Sequence, residues 1–286
     1  MTNQKTLLLV GAHPDDETFG SGGTLAHYAS AGAKVYYAWA TRGEAGSAEP
    51  KHLHGHATMG DLRWSELECA ARALGLAGVI HLGYRDSGMP GSEDNRHPDA
   101  LVGAHVNDVA EQIVRLMREL RPQVIITSDA AGGYGHPDHI AIHKAAVYAF
   151  NNAGDQGRFP SAGSAYQPQK LYYPVFRRTL LKWAVKLMPL FGQDPRRQGR
   201  NKDIDMTRMA GIDFPVNAVV SLSKEDIATR DKATACYASQ LGGGARRGGL
   251  LGLVFRLSRQ NSDCYMRGYP LVNTKKIEKD LFLGTS

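Results

Sequence analysis

The sequence predicts an α/β fold in which helices cover a mostly parallel, doubly wound β-sheet. Short apolar runs such as Leu7 to Gly11 have the length and composition of buried strands. In the first half of the chain these runs alternate with amphipathic segments, which is the pattern of repeated strand–helix units. The second half is less regular. We therefore expect one domain over 1–286, with its core in 1–150 and a C-terminal elaboration in 151–286 that shapes the substrate pocket.

The individual elements follow from hydrophobic periodicity and from the residues that interrupt it. Predicted strands cover 7–11, 34–41, 79–83, 123–128, 170–176 and 218–222. Predicted helices cover 24–31, 62–74, 102–120, 140–150 and 224–239, with Ser223 as the N-cap of the last one. Gly20 to Gly23 is interpreted as a loop after the first strand. Because position 25 is Leu, this loop lacks the Gly-x-Gly-x-x-Gly spacing of dinucleotide sites.

The formal net charge of +6 comes from two local basic segments, 177–202 and 246–259. Neither segment carries a nucleic-acid-binding motif, so no nucleic-acid partner is expected. Both contain apolar residues, which leaves peripheral membrane contact open. For 182–191 we favour a helix packed on the domain with its charges in water. No apolar run reaches the roughly 18 residues of a membrane span. Secretion is not expected, because no basic region stands before a long apolar stretch with a cleavage site.

The three cysteines, Cys69, Cys236 and Cys264, are widely spaced and form no Cys-x-x-Cys pair. An odd and scattered set argues against a disulfide framework and fits a cytoplasmic protein. We expect all three to fill the core.

The run His13-Pro14-Asp15-Asp16-Glu17 directly follows the first predicted strand. The carboxyl ends of strands in an open α/β sheet line the crevice where ligands bind. Buried carboxylates require a partner or a metal, so this cluster predicts a divalent cation. Of Asp15 and Asp16, one can bind the metal while the other faces the substrate.

A second cluster, His136-Pro137-Asp138-His139, follows another predicted strand and precedes a helix. Both clusters should therefore meet at one edge of the sheet. With Pro137 at the start of the helix, one histidine can bind the metal and the other can reach a substrate oxygen. Asp138 could then hold the imidazole that is not a ligand in its charged form by hydrogen bonding.

Other histidines are interpreted more simply. His143 lies one turn beyond His139, and packing or support of a ligand is favoured over direct metal binding. His52, His54 and His56 could form an accessory metal site, but a solvated loop is the favoured interpretation.

In combination, the two clusters resemble the zinc-dependent N-deacetylases of the N-acetylglucosaminyl-phosphatidylinositol deacetylase and LmbE-like family. Further matching positions are Arg42-Gly43-Glu44, Arg63 with Glu66, Arg85 to Met89, and Ala238-Ser239-Gln240. The resemblance runs from about residue 6 to 150 and weakens afterwards. Residues 85–89 and 132–135 also resemble the mycothiol-pathway members, which are the deacetylase and the conjugate amidase.

The resemblance implies a Rossmann-like three-layer sandwich and hydrolysis of an acetamide on a glucosamine unit. It implies three metal ligands, His13, Asp16 and His139, which hold Zn²⁺ or another first-row divalent metal such as Fe²⁺. Asp15 would be the general base. His136 would be the charged or acidic partner, and Tyr134 and His136 are candidate donors to the oxyanion. Asp138 completes the predicted catalytic set, and the predicted substrate contacts are Arg63, Asp86 and Glu44.

Two other functions remain as alternatives at this stage. One is an amidase that cleaves a larger amide such as a thiol conjugate, and the other is a deacetylase of a lipid-linked sugar. A sugar-binding or lipid-surface protein without turnover is disfavoured, because the position of the general base, Asp15, is intact. A small amino-sugar substrate is expected, and assembly into homo-oligomers is left open.

Overall fold

The computed structural model describes residues 4–175, 178–198, 205–241, 261–274 and 276–286. The strands are β1 (Thr6–Gly11), β2 (Lys34–Thr41), β3 (Gly78–Tyr84), β4 (Val124–Thr127), β5 (Lys170–Val175), β6 (Ala218–Ser221) and β7 (Ser262–Tyr269). The helices are α1 (Asp16–Ser30), α2 (Pro50–Leu53), α3 (Met59–Leu74), α4 (Val106–Leu120), α5 (Pro137–Asn152), α6 (Arg178–Leu187), α7 (Met206–Gly211) and α8 (Lys224–Cys236). Short 3₁₀ turns cover Glu93–Arg96, Leu101–Gly103, Pro160–Ala162 and Met188–Phe191.

The strands form one mixed sheet of order β3-β2-β1-β4-β5-β7-β6. The first five strands in this order pair in parallel, and β7 runs antiparallel to both β5 and β6. This confirms the predicted α/β fold around a mostly parallel sheet. Strand order reverses between β1 and β4, and such a switch point is where open α/β sheets bind ligands.

Apolar side chains form a core layer on each face of the sheet. All six residues of β1 are buried. Leu7 and Leu9 pack in one layer, whereas Leu8 and Val10 pack in the other, because successive side chains of a strand point to opposite faces. A strand covered on both faces explains the uninterrupted apolar run from which it was predicted.

Helix α1 begins at Asp16, eight residues before the predicted start, so the prediction of a loop over Gly20 to Gly23 is wrong. A Cβ at Gly23 would overlap the side chain of Leu222, and a Cβ at Gly22 would lie 3.1 Å from Cγ of Arg230. The glycines therefore permit close packing of α1 against the segment before α8 and against α8 itself. Glycine disfavours a helix by its local propensity, so the sequence alone does not show that these glycines are kept for packing.

Strand β7 was absent from the predicted elements. It contains Asp263, Arg267 and Gly268, and it therefore lacks the apolar run or clean alternation that marks the other strands. Its place is set by pairing, because it lies between β5 and β6 and hydrogen-bonds to both. The predicted helix over 102–120 is also shorter, since a 3₁₀ turn precedes α4.

A disulfide links Cys69 of α3 to Cys236 at the end of α8, with 5.7 Å between the Cα atoms. The prediction that the cysteines form no disulfide is therefore wrong. The two residues are 167 positions apart in sequence, and only the contact between α3 and α8 brings them together. Cys264 lies outside the bridge and is buried, as predicted.

Helix α6 and the turn that follows it expose apolar side chains. Trp183, Leu190 and Phe191 are 60%, 77% and 62% exposed, while Ala184 and Met188 are buried. The favoured prediction of a helix packed on the domain thus holds for one face only. Of the two basic segments, 246–259 lies outside the described residues, as do 177 and 199–202. No helix among the residues described is long and apolar enough to cross a bilayer.

Candidate active site

The two histidine–carboxylate clusters meet at the edge formed by the carboxyl ends of β1 and β4, as predicted. The ring centroids of His13 and His136 are 4.6 Å apart, and those of His13 and His139 are 5.2 Å apart. Pro137 is the first residue of α5, so the second cluster lies at a helix start. Chain segments more than 120 residues apart thus contribute to one site.

His13, Asp16 and His139 could hold a metal ion, because one potential ligand atom from each lies within 4.8 Å of the others. Oδ1 of Asp16 is 3.4 Å from Nε2 of His139. This is close to the separation of about 3.3 Å between two ligands of a tetrahedral zinc with bonds of 2.0–2.1 Å. Oδ2 of Asp16 accepts hydrogen bonds from the backbone N–H groups of Ala12 and His13 at 2.8 and 3.0 Å, which fixes the carboxylate.

The orientation of the His139 ring is fixed from its other side. Nδ1 lies 3.0 Å from the hydroxyl oxygen of Ser128, which leaves Nε2 facing Asp16. His143 supports the same loop, since its Nδ1 lies 2.7 Å from the carbonyl oxygen of Ser128 and its ring packs on Tyr173. These contacts agree with a packing or supporting role for His143, because partners of this kind orient metal ligands.

A second, fully buried group of potential ligands consists of His13, Asp86, His136 and Asp138. Nε2 of His13 lies 3.1 Å from Oδ2 of Asp138 and 3.6 Å from Oδ1 of Asp86. Oδ2 of Asp138 also accepts a hydrogen bond from the Ser87 N–H, whereas its Oδ1 is buried without a partner among the residues described. Both groups share His13, and the unpartnered oxygen indicates a missing positive charge or donor nearby.

The structure corrects the role predicted for Asp138. Its carboxylate contacts His13, not the imidazole of His136, and only its backbone N–H reaches His136, donating to Nδ1 at 3.2 Å. Burial, helped by the charges of His13 and His139, lowers the pKa of His136 to about 2. The predicted hydrogen bond from the Asp138 carboxylate to the His136 ring is therefore wrong.

Asp15 lies beside the metal-binding group as the N-cap residue of α1, with a φ of 107°. A positive φ is rare for a residue other than glycine, and such strained backbone is concentrated at functional sites. Oδ2 of Asp15 accepts a hydrogen bond of 2.8 Å from Nη2 of the buried Arg63. Burial raises the pKa of Asp15 to about 7, although the charge of Arg63 opposes this rise. A carboxylate with such a pKa suits general-base chemistry near neutral pH.

Glu17 is fully buried, and its role was not predicted. Its carboxylate accepts hydrogen bonds from the hydroxyl of Tyr237, at 2.7 Å, and from the backbone N–H of Asp15, at 3.0 Å. Nearby, Glu66 of α3 accepts hydrogen bonds from the N–H and hydroxyl of Ser239. The segment after α8 is thereby attached to the site. The sequence signal for the role of Glu17 was its position soon after a buried strand, because a buried carboxylate requires a partner.

The predicted substrate contacts lie at the same edge of the sheet. Oε2 of Glu44 accepts a hydrogen bond from the Asp86 N–H at 3.0 Å, and Oδ1 of Asp86 accepts one from the Gly88 N–H. Tyr134 lies next to the histidines, with its ring centroid 5.9 Å from that of His136. By contrast, His52, His54 and His56 lie around α2 and belong to neither group of potential ligands in the described part of the chain.

Residues 8–150, which carry both clusters, match the family model described as PIG-L: GlcNAc-PI de-N-acetylase. The chain is also 36% identical, over 84% of its length and 84% of the relative's, to the 1D-myo-inositol 2-acetamido-2-deoxy-alpha-D-glucopyranoside deacetylase of Geodermatophilus obscurus. The chain belongs to the PIG-L family. A relative of the same name from Thermobifida fusca is 43% identical over a region that covers 65% of this chain and 67% of the relative's length.

Solved structures agree with the PIG-L fold. The N,N'-diacetylchitobiose deacetylase from Pyrococcus horikoshii aligns with 96% of this chain and 87% of its own, with a TM-score of 0.64 and 16% identity. The protein TT1542 from Thermus thermophilus aligns with 94% of this chain and 96% of its own, with a TM-score of 0.57 and 22% identity. The resemblance to this family, and the prediction of a hydrolytic N-deacetylase that the sequence motifs implied, are confirmed by the family model and the named relatives.

Proposed function

We propose that this PIG-L protein removes the N-acetyl group from N-acetylglucosamine joined to myo-inositol, using a cation held by His13, Asp16 and His139. The observation that carries this proposal is the position of Asp15, a half-buried carboxylate on a strained backbone, held by Arg63 beside three potential metal ligands. The choice of substrate is supported by the relatives from Geodermatophilus obscurus and Thermobifida fusca, whose names specify an inositol-linked acetamido sugar.

The donor atoms fit zinc best. Two imidazoles and one carboxylate, with room for a further ligand, form a common catalytic zinc site, and a related set is used by iron. When bound, the cation acts as a Lewis acid that polarises the acetyl group and activates water near neutral pH. Metal analysis of the purified protein distinguishes Zn²⁺ from Fe²⁺.

The proposed reaction depends on proton transfer by Asp15. As water attacks the acetyl carbonyl carbon, Asp15 accepts a proton from it, and Arg63 holds the carboxylate in place. The C–N bond then breaks, acetate departs, and the sugar amine receives a proton from Asp15. General-base catalysis of this kind contributes about 10²–10⁴ in rate.

We assign His136 the role of a neutral hydrogen-bond donor. Because the backbone N–H of Asp138 donates to Nδ1 of His136, the neutral ring carries its proton on Nε2. That N–H can donate to the acetyl oxygen as negative charge develops on it, and the hydroxyl of Tyr134 is a second donor. Arg63, Asp86 and Glu44 remain proposed contacts for the sugar.

A substrate panel tests the proposal. Acetate release should be measured with free, inositol-linked and lipid-linked N-acetylglucosamine, and amine release should be measured with a larger amide such as a thiol conjugate. Acetate release that is fastest from the inositol-linked sugar is expected. Amine release from the larger amide without acetate release from any sugar would replace the proposal with the amidase alternative.

Residues 151–286 are proposed to shape the pocket of a single domain, which is supported by the cleft that α7 lines near Tyr134. The α6 region, which consists of α6 and the turn that follows it (178–191), is proposed to contact anionic lipid. The support is the exposure of Trp183, Leu190 and Phe191 near the basic Lys182 and Lys186. Homo-oligomer formation and a cytoplasmic location stay predictions, and the disulfide removes one of the grounds for the latter.

A further inference from the structure

We propose that Arg208 binds the hydroxyl-rich group attached to the amino sugar and thereby selects the substrate. This inference rests on the proposed deacetylase function and adds to it a residue and a chemical class of ligand. Arg208 lies on α7, in the half of the chain where the sequence motifs assign no site residue.

A cleft lies beside the loop that joins β4 to α5. Its volume is about 370 Å³, which lies within the range of small-molecule sites. The wall that follows β4 consists mainly of small residues, and the opposite wall comes from α7 and the residue after it. The lining includes Gly133, Tyr134 and Gly135 on one side and Arg208 on the other. Arg208 is the charged residue among them.

The small residues bring the cleft close to the backbone. Gly133 and Gly135 have φ angles of 65° and 92°, which L-residues with side chains rarely adopt. A Cβ at Gly135 would lie 3.6 Å from Nη1 of Arg208. The guanidinium therefore lies close to the backbone of Gly135, where no side chain of that residue separates it from a ligand.

Tyr134 connects the cleft to the reaction site. It lines the cleft, and its ring centroid is 5.9 Å from that of His136 and 6.2 Å from that of His139. A substrate with its acetamide at the histidines can therefore extend past Tyr134 into the cleft. The part of the substrate that reaches Arg208 is the group linked to the sugar.

The guanidinium retains donors for a ligand. Within the described ranges its one carboxylate contact is from Nε to Oδ2 of Asp205, at 3.9 Å. Oδ1 of Asp205 is already bound to the N–H and hydroxyl of Thr207. Arginine presents several N–H groups in a planar fork, which suits two neighbouring oxygens of a ligand.

A polyol is a class of ligand that matches the N–H fork of Arg208. A polyol with adjacent hydroxyl groups presents paired oxygens without added charge. Myo-inositol, the group named in the relatives from Geodermatophilus obscurus and Thermobifida fusca, belongs to this class.

The test compares substrates with and without the polyol. Kinetics of acetate release are measured for the wild-type protein and Arg208→Ala with inositol-linked N-acetylglucosamine and with its methyl α-glycoside. We expect a rise of about tenfold in KM for the inositol-linked sugar, the effect of losing one charged hydrogen bond, with kcat unchanged. Both constants for the methyl glycoside should stay within twofold, which also shows that the variant is folded.

Two further variants sharpen the comparison. Arg208→Lys keeps the charge but loses the fork, so it should restore only part of the selectivity. Arg196→Ala removes an exposed cation of the same half of the chain and should leave both substrates unaffected. Equal effects of Arg208→Ala on both substrates, or no effect, would overturn the inference while leaving the deacetylase proposal intact. A wild-type protein that releases acetate from neither substrate would overturn both.

Discussion

Nη2 of Arg63, on α3, donates a hydrogen bond of 2.8 Å to Oδ2 of Asp15, which lies 48 residues earlier at the start of α1. The same Nη2 donates to the carbonyl oxygen of Pro14, so the guanidinium fixes both the backbone and the side chain of the proposed base. Gly43 makes room for it, because a Cβ at that position would overlap the Arg63 guanidinium. The contact indicates that Arg63 positions the base, in addition to the predicted contact with the sugar.

Replacing Arg63 with lysine tests this positioning role. Lysine keeps the charge but is one bond shorter, so its Nζ falls short of the position from which Nη2 contacts Asp15 and Pro14, and kcat should fall by about 10- to 100-fold, or about 1.4 to 2.8 kcal/mol. Steady-state acetate release measures the effect. Arg72→Ala, which changes an exposed side chain of the same helix, should retain the wild-type rate. A kcat within twofold of wild type in Arg63→Lys would remove Arg63 from this role.

Asp15→Asn should keep the bound metal and lose most of the activity. The amide is similar in size but cannot accept the proton, so a decrease in kcat of about 10²–10⁴ is expected. Metal content and acetate release are measured on the same preparation. A variant with full metal content and a near-normal rate would show that another group is the base.

Reduction of the Cys69–Cys236 bridge should destabilise the protein. The bond closes a long loop, with a sequence separation of 167, and native disulfides typically contribute about 2–4 kcal/mol to the free energy of unfolding. Urea unfolding of the oxidised protein and of Cys69→Ser measures the difference. Thiol titration in denaturant should find one thiol per chain before reduction and three after it. Three thiols before reduction would contradict the bridge.

The exposed apolar side chains of the α6 region should mediate binding to anionic vesicles. Trp183→Ser with Phe191→Ser should reduce co-sedimentation with vesicles rich in phosphatidylserine by at least severalfold, because both side chains are largely exposed. Leu271→Ser, a change at another exposed apolar side chain, is the matched control. Wild-type binding that does not depend on anionic lipid content would exclude the proposed surface.

Much of the fold was predictable because each buried strand is an apolar run that can be recognised in the sequence without knowledge of its neighbours. β2 has the predicted bounds, Lys34–Thr41, and the start of β1 differs from the prediction by one residue. Both are parallel strands covered on two faces, so both are apolar along most of their length. The start of α1, strand β7 and the disulfide were not predictable in this way. Each is decided by a tertiary partner, such as Leu222 against Gly23, and no local pattern records that partner.

The candidate site shows the same division. The meeting of His13 with His139 followed from the rule that parallel strands end at one edge of the sheet. The individual side-chain contacts could not be predicted, because side-chain rotamers depend on neighbours from other helices and strands. The carboxylate of Asp138 therefore contacts His13 and Ser87, and only the backbone N–H of Asp138 reaches the ring of His136. Glu17 is bound by Tyr237 from the C-terminal half of the chain.

The most direct test of the central claim is acetate release from inositol-linked N-acetylglucosamine as the metal is removed and returned. Activity should disappear on chelation and return in proportion to one equivalent of Zn²⁺, and His139→Ala should require a higher Zn²⁺ concentration for the same recovery. Undiminished acetate release from protein shown to be free of metal would contradict the account of a metal-dependent deacetylase.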